Sequence, residues 1–389
     1  MAARLALWSV ALILSAQAAA PAFAASPQTP QRLPPPPDAI AALTAGDPAR
    51  ALELAEVAGD ACARQEASPA SCFDIWQFII QAAMAANRPS DAEAAARRLL
   101  AATPPDREEA AGAQLLLAML LQGRGRHGEA EPLLRAALAT ALRVEGPDGA
   151  MVGMITGRLG VVLIAFQREA EAEAMLRRAV AILSARSEVP PELLIGIMIE
   201  HGMALGMLDR HAEAETVLRR ALALTGGGGD AGKTLPSALM ALGMGLMEQE
   251  RYDQAEPALR QAVALHERQY GKQHFETAKA LLAYGVLLRD VGRIAEAEMT
   301  LRRAIIPHAL SGDWSTVEAV TTAIALGELI AYRNPAEARL LFSRAALGVR
   351  RRVASYRDHG AEAQAELANF SLIFFGQVQL AWRVAHERK

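Results

Sequence analysis

Gly227 to Thr234 read GGGDAGKT, a formal match to the loop G-x-x-x-x-G-K-[ST]. In such a loop backbone N–H groups wrap phosphates between a strand and a helix N-terminus, with a lysine on the terminal phosphates and a hydroxyl on magnesium. Lys233 and Thr234 would fill those two roles. The residues just before it, LRRALALT, carry helical rather than strand spacing of apolar side chains. Nucleotide binding through 227–234 is therefore only a second alternative. Four Glu-x-Glu pairs, Glu129/Glu131, Glu171/Glu173, Glu213/Glu215 and Glu296/Glu298, invite a paired-carboxylate reading. Two residues apart on a helix, the members of a pair point in different directions. They also fall near helix N-termini, where the dipole favours negative charge. The eight histidines form no H-E-x-x-H and no Cys/His quartet, and G-x-S-x-G does not occur. The expectation is a chain with no catalytic residues, no metal site and no cofactor.

Cys62 and Cys72 are the only cysteines. In an oxidising compartment such a pair is a disulfide candidate; otherwise they are two buried thiols. Cys62 falls near the end of one expected helix and Cys72 near the start of the next, so their Cα atoms can reach bonding separation. Closing so short a loop is worth about 2–3 kcal/mol on the chain-entropy model.

What must position all these residues is one recurring stretch. RHAEAETVLRRAL, residues 210–222, returns as HGEAEPLLRAAL from His127, EAEAMLRRAV from Glu171, RYDQAEPALRQAV from Arg251, RIAEAEMTLRRAI from Arg293 and NPAEARLLFSRAAL from Asn334. Fainter copies lie near Asp91 and Arg50, and the copies start at 50, 91, 129, 171, 213, 254, 296 and 337. A fixed period of about 42 residues means stacked supersecondary units. Within each copy a small residue, a large one four later and a second small one three beyond share one helical face, as in Ala214, Leu218 and Ala221. Twelve residues before the first alanine lies another small residue: Ala118, Gly160, Gly202, Gly243 or Gly285. Glycine inside a helix costs about 1 kcal/mol against alanine, so its repeated use predicts close helix contact.

The period and the EAEPLL/RRAL cores, with the long unit ERQYGKQHFETAKALLAYGVLLRDVGRIAEAE from Glu267 to Glu298, resemble the tetratricopeptide repeat in its kinesin-light-chain variety. The resemblance covers 115–348 clearly and 39–100 weakly. It implies an all-α fold, an α-solenoid coiled as a right-handed superhelix of stacked helix-turn-helix units. In that family the first helix of each unit lines a concave groove through positions −6, −3, +1, +4 and +5 around its small residue. Carried over, these positions hold Met119, Met154, Met203, Met207, Met240, Met244, Met247 and Arg289. Methionine is pliable enough to line a surface for varied apolar ligands or to fill gaps between helices. Both uses remain open at this point.

The chain ends frame the repeats. Arg4, the apolar run Leu5 to Leu14 and Ala22-Phe23-Ala24 form a secretory signal with cleavage expected after Ala24. The run is too short to span a bilayer; the alternative is an uncleaved N-terminal anchor. The Ala- and Arg-rich, Lys-poor composition is bacterial in kind, which makes the expected destination the periplasm or beyond. Residues 25–38 contain four consecutive prolines, Pro34 to Pro37, and read as an extended linker. The solenoid is expected over 39–348, its first two repeats degenerate, and C-terminal capping helices over 349–389. Leu367, Phe370, Phe374, Val378, Ala381 and Trp382 give the stretch 361–388 an apolar stripe. That tail also loosely resembles the segment before the peptidase domain of bacterial tetratricopeptide–CHAT proteins. The resemblance implies, as an alternative, the regulatory arm of a truncated or split CHAT-type peptidase whose His and Cys lie on another chain. Net charge is −3, and no basic stripe with interleaved aromatics points to nucleic acid. The cluster Arg344, Arg350, Arg351, Arg352 and Arg357 reads as a solvated face. The expected function is a non-catalytic, exported scaffold that takes a partner protein or peptide in the groove.

Overall fold

The computed structural model describes residues 33–355 apart from 65–71, 87, 104–107, 124, 188 and 227–231. The signal segment 1–24, the stretch 361–388 and most of the loop 227–234 therefore lie outside the described residues. Seventeen helices and no strand are found among the described residues. They are α1 (Pro37–Thr44), α2 (Pro48–Arg64), α3 (Phe73–Ala85), α4 (Pro89–Ala102), α5 (Glu108–Gly123), α6 (His127–Glu145), α7 (Ala150–Ala165), α8 (Glu169–Ser184) and α9 (Pro191–Met207). The remainder are α10 (His211–Thr225), α11 (Leu235–Glu248), α12 (Tyr252–Tyr270), α13 (Phe275–Asp290), α14 (Ile294–Ala304), α15 (Ile306–Ser311), α16 (Val317–Ile330) and α17 (Pro335–Ser355). Each copy of the repeated stretch falls on the second helix of a pair, and α15 stands apart as a one-turn extension of α14. The chain packs as two compact units, which part at Leu159 and Gly160 within α7.

The turn inside each of the five pairs from α5–α6 to α13–α14 follows from two adjacent residues. The first adopts a left-handed conformation and ends the first helix: Gly125, Gln167, Asp209, Glu250 or Gly292. The second is an arginine whose N–H donates back to a leucine carbonyl five residues earlier, as in Arg126 to Leu121, Arg210 to Leu205 and Arg293 to Leu288. That pair of features is the Schellman arrangement, which satisfies carbonyls the helix end would leave unpaired. The same arginine's carbonyl accepts the first bond of the next helix, from Ala130, Ala172, Ala214, Ala255 or Ala297. One residue thus stops one helix and starts another.

Within the pairs the small–large–small face is fully used. Leu134, Leu176, Leu218, Leu259 and Leu301 are fully buried, and so are their flanking alanines. A Cβ added at Gly160, Gly202, Gly243 or Gly285 would lie 2.5–2.8 Å from the side chain of the leucine sixteen residues on. The glycines are there because the leucine already occupies the space a side chain would need.

In the first unit each helix from α1 to α6 packs on the next. Cys62, near the end of α2, is bonded to Cys72, which caps the start of α3, with Cα atoms 6.1 Å apart. In the second unit the first helices also touch one another directly: α9 on α11, α11 on α13 and α13 on α16.

Candidate partner-binding face

The row α9, α11, α13 and α16 is where the second unit brings the expected groove residues together. Met203 and Met207 come from α9, Met240, Met244 and Met247 from α11, and Arg289 from the end of α13. Met119 on α5 and Met154 on α7 belong to the first unit. The structure places the methionines deeper than a lining requires. Met154, Met203, Met240, Met244 and Met247 are 0–8% exposed, and only Met119 and Met207 are half-buried. Five of the seven therefore act between helices, where a flexible side chain fills the gaps left by alanine and glycine. Arg289 is accessible in part; its Nη2 lies 2.9 Å from Asp290 and its Nη1 3.7 Å from Glu328 on α16.

Charged residues of this row were missed by the sequence reading. Lys279 is 4% exposed, with Nζ 2.8 Å from Glu276 on its own helix and 3.8 Å from Glu318 on α16. Burial alone would lower its pKa, but Glu276, Glu318 and the more distant Glu200 on α9 outweigh that and raise it. The ammonium is thus held charged inside the fold by carboxylates from three first helices. A signal was present: Lys279 stands at the −6 position before Gly285, and the chain has only four lysines. On Glu328 burial raises the pKa against the pull of Arg289.

The Glu-x-Glu pairs turn out to serve neighbouring units. The first glutamate binds the turn arginine of its own unit: Arg210 to Glu213 at 2.7 Å, Arg293 to Glu296 at 2.6 Å. The second takes the turn arginine or its counterpart one unit later: Arg210 to Glu173 at 3.4 Å, Arg251 to Glu215, and Arg333 to Glu298 at 2.5 Å. The same scheme holds in the first unit, where Arg126 contacts Glu129 at 2.6 Å and Glu93 at 2.9 Å. Arginine lowers the pKa of Glu213 and of Glu296 by direct hydrogen bonds. The Glu-x-Glu carboxylates sit against guanidinium groups, a structural ladder and not an acid–base pair.

The loop at 227–234 follows α10, a helix, and Thr234 is the residue at the N-terminus of α11. A phosphate loop instead follows a strand. Among the described residues no group of three or more His, Cys, Asp or Glu side chains is placed to hold a metal ion. No helix of the described residues is long and apolar enough to cross a membrane.

Comparison with protein families finds the tetratricopeptide repeat at residues 109–185, 197–220 and 234–305. The chain carries tetratricopeptide repeats. A solved structure described as a Rap protein complexed with Competence and Sporulation Factor is similar over 90% of this chain and 97% of its own, with TM-score 0.57 and 13% identity. The apo form of RapI is similar over the same shares, with TM-score 0.52 and 12% identity. Kinesin light chain TPR-like repeats from Podosopora anserina match 54% of this chain and 97% of theirs at 19% identity, with TM-score 0.41. Curated protein sequences give no match. At these identities the likeness is one of fold, and the tetratricopeptide architecture is a protein-interaction scaffold.

Proposed function

We propose that the chain is an exported, non-catalytic scaffold that binds an apolar segment of a partner protein or peptide along the first helices of the second unit. The observation that carries this reading is the direct contact of α9, α11, α13 and α16, which sets one helix from each repeat side by side. Tetratricopeptide groove recognition uses such a row, with anchors spaced along helices. Among the expected groove residues of this row, Met207 and Arg289 are the partly accessible ones, one apolar and one cationic. A structure of similar fold was solved with a bound factor, which supports a ligand-binding role. The Cys62–Cys72 disulfide supports export, because such bonds persist in oxidising compartments.

The test is affinity capture from the cell-envelope fraction by the mature chain. Met207→Glu with Arg289→Ala should lose the species that the parent retains, with helical circular dichroism unchanged. Equal retention by both proteins would remove this face from consideration. Glutamate at Met203, Met240 or Met244 would be uninformative, since a carboxylate at those buried sites unfolds the repeat. Export is checked separately: the protein recovered from the periplasm or medium should begin at Ala25.

A further inference from the structure

The position eleven residues after the first alanine of each repeat core is a core position. It holds Ala141, Leu183, Thr225 and Val349, all buried. In the two successive units between Thr225 and Val349 it holds His266 and His308, each 1% exposed. Neither ring nitrogen of either histidine has a hydrogen-bond partner. Neutral imidazole carries one donor and one acceptor, so burying it unpaired is unfavourable unless the site does something with it.

The two histidines end one chain of neighbouring rings, stacked as far as His274 and edge-on or tilted beyond it. His266 on α12 lies 5.8 Å from Tyr270, Tyr270 lies 4.8 Å from His274, and His274 lies 6.4 Å from Phe275. Phe275, at the start of α13, lies 5.3 Å from His308 on α15. His274 also accepts a hydrogen bond from the Glu276 N–H through Nδ1, so the stack includes the cap of α13. The charged groups facing the histidines come from several elements. His266 faces Glu276 and Lys279 of α13 and its cap His274; His308 faces Asp313 beyond α15 and the same Lys279. Lys279 is in turn tied to Glu318 of α16.

We propose that His266 and His308 form an acid-sensitive latch: both are packed neutral where α12, α13 and α15 meet, and their protonation releases that corner while α1 to α4, which carry no histidine, stay packed. Two imidazolium ions would share one apolar corner with a buried ammonium. Glu276 and Asp313 favour protonation, but burial outweighs them and holds each histidine down at about 4. Exposed histidine titrates near 6.5, so the open form takes up protons first. Opening therefore becomes more favourable as pH falls from about 6.5 to about 4, roughly 30-fold per histidine at pH 5 and about 10³-fold for both. Because residues 252–311 adjoin the proposed partner face, the latch would couple pH to its shape. The latch itself does not depend on that face binding anything.

Hydrogen exchange of the full chain at pH 7.5 and pH 5, normalised to unfolded-chain rates, tests it. Amides in 252–311 should lose about 10³-fold in protection at pH 5 while those in 37–64 and 73–102, which contain no histidine, change less than about threefold. His266→Leu with His308→Val, residues taken from the equivalent positions, should abolish the difference. Equal protection at both pH values in the parent, or an undiminished loss in the double variant, overturns the proposal. Should the double variant not fold, ring-proton NMR of the parent decides. Midpoints below about 5 for both histidines support the latch, and either midpoint at 5 or above overturns it.

Discussion

The junctions α2–α3 in the first unit and α9–α10 in the second use the same nest with the parts exchanged. At α9–α10 the gap is Gly202 on the first helix and the leucine filling it, Leu218, is on the second; a Cβ at 202 would meet Leu218 Cγ at 2.6 Å. At α2–α3 the gap is Gly59, and the filling side chain is Ile79, whose Cδ1 is 2.7 Å from that Cβ position, with Trp76 beside it. The first nest lies within a helix pair and the second between pairs. The disulfide lies at the same junction as the second. The regular repeats thus keep this nest inside each pair, and the arginine ladder adds to the helix contacts that join one pair to the next. The degenerate start of the solenoid puts one such nest and a covalent link between pairs.

Removing the filling side chain should have the largest effect. Leu218→Ala and Ile79→Ala each empty a fully packed site and should cost about 2–5 kcal/mol. Hydrogen exchange should locate the loss within α9 and α10 for the first variant, and across α2 and α3 for the second. A uniform loss over both units in either variant would erase the distinction. Next in size, Cys62→Ala with Cys72→Ala should cost about 3 kcal/mol on the chain-entropy model. Added to Ile79→Ala it should show a coupling of at least about 0.5 kcal/mol, because the two links share one junction. Strict additivity in thermal or denaturant unfolding would place them in separate junctions.

A smaller effect comes from the turns. The left-handed residue is glycine at 46 and 125 in the first unit, but Gln167, Asp209 and Glu250 occupy it in the second before Gly292 restores glycine. A side chain there costs about 1 kcal/mol or more in the folded state, while glycine gives back part of that in the freer unfolded chain. Glu250→Gly and Gln167→Gly should each stabilise the second unit by about 0.5–1 kcal/mol. Gly125→Gln should destabilise the first by a similar amount. Opposite signs in the two units are the outcome to look for in their unfolding midpoints.

Much of this was legible from spacing. Ala214, Leu218 and Ala221 and their equivalents announce the nest, because a helix of alternating small and large residues on one face admits only a close neighbour. The glycines twelve residues before each core gave its other half. The groove residues were harder to read. The same pattern that tells which face of a helix is apolar does not tell whether that face meets another helix or a ligand. Met203 and Met240 stand at lining positions by number and are buried in fact. Lys279 stands at a −6 position, but its partners are not visible in the spacing; only the fold brings Glu276, Glu318 and Glu200 around it. The ladder arginines were in plain view three residues before each first glutamate, but their second partner is a unit away in sequence, at 33 to 37 residues.

The smallest expected effect separates the two ways of joining pairs by their response to acid. Glu337, held by Arg302 of the preceding pair and by Asn334, has its carboxyl below the usual range, and Glu215, bonded to Arg251 of the next pair, is lowered as well. A carboxylate lowered in the folded state contributes stability that is present above its ordinary pKa and is lost as pH falls through the folded value. The ladder should therefore weaken below about pH 4.5, where a disulfide is indifferent. In a His266→Leu, His308→Val background, acidifying from pH 4.5 to pH 3 should loosen the pair-to-pair contacts of the second unit and leave α2–α3 protected. Glu337→Gln should cost no more than about 0.5 kcal/mol at neutral pH, since such pairs are partly exposed and screened. Its larger consequence is in slope: the variant's stability should fall less steeply over that acid range than its parent's. Parallel slopes would mean that the arginine ladder contributes nothing to joining the repeats and that apolar contact alone does so.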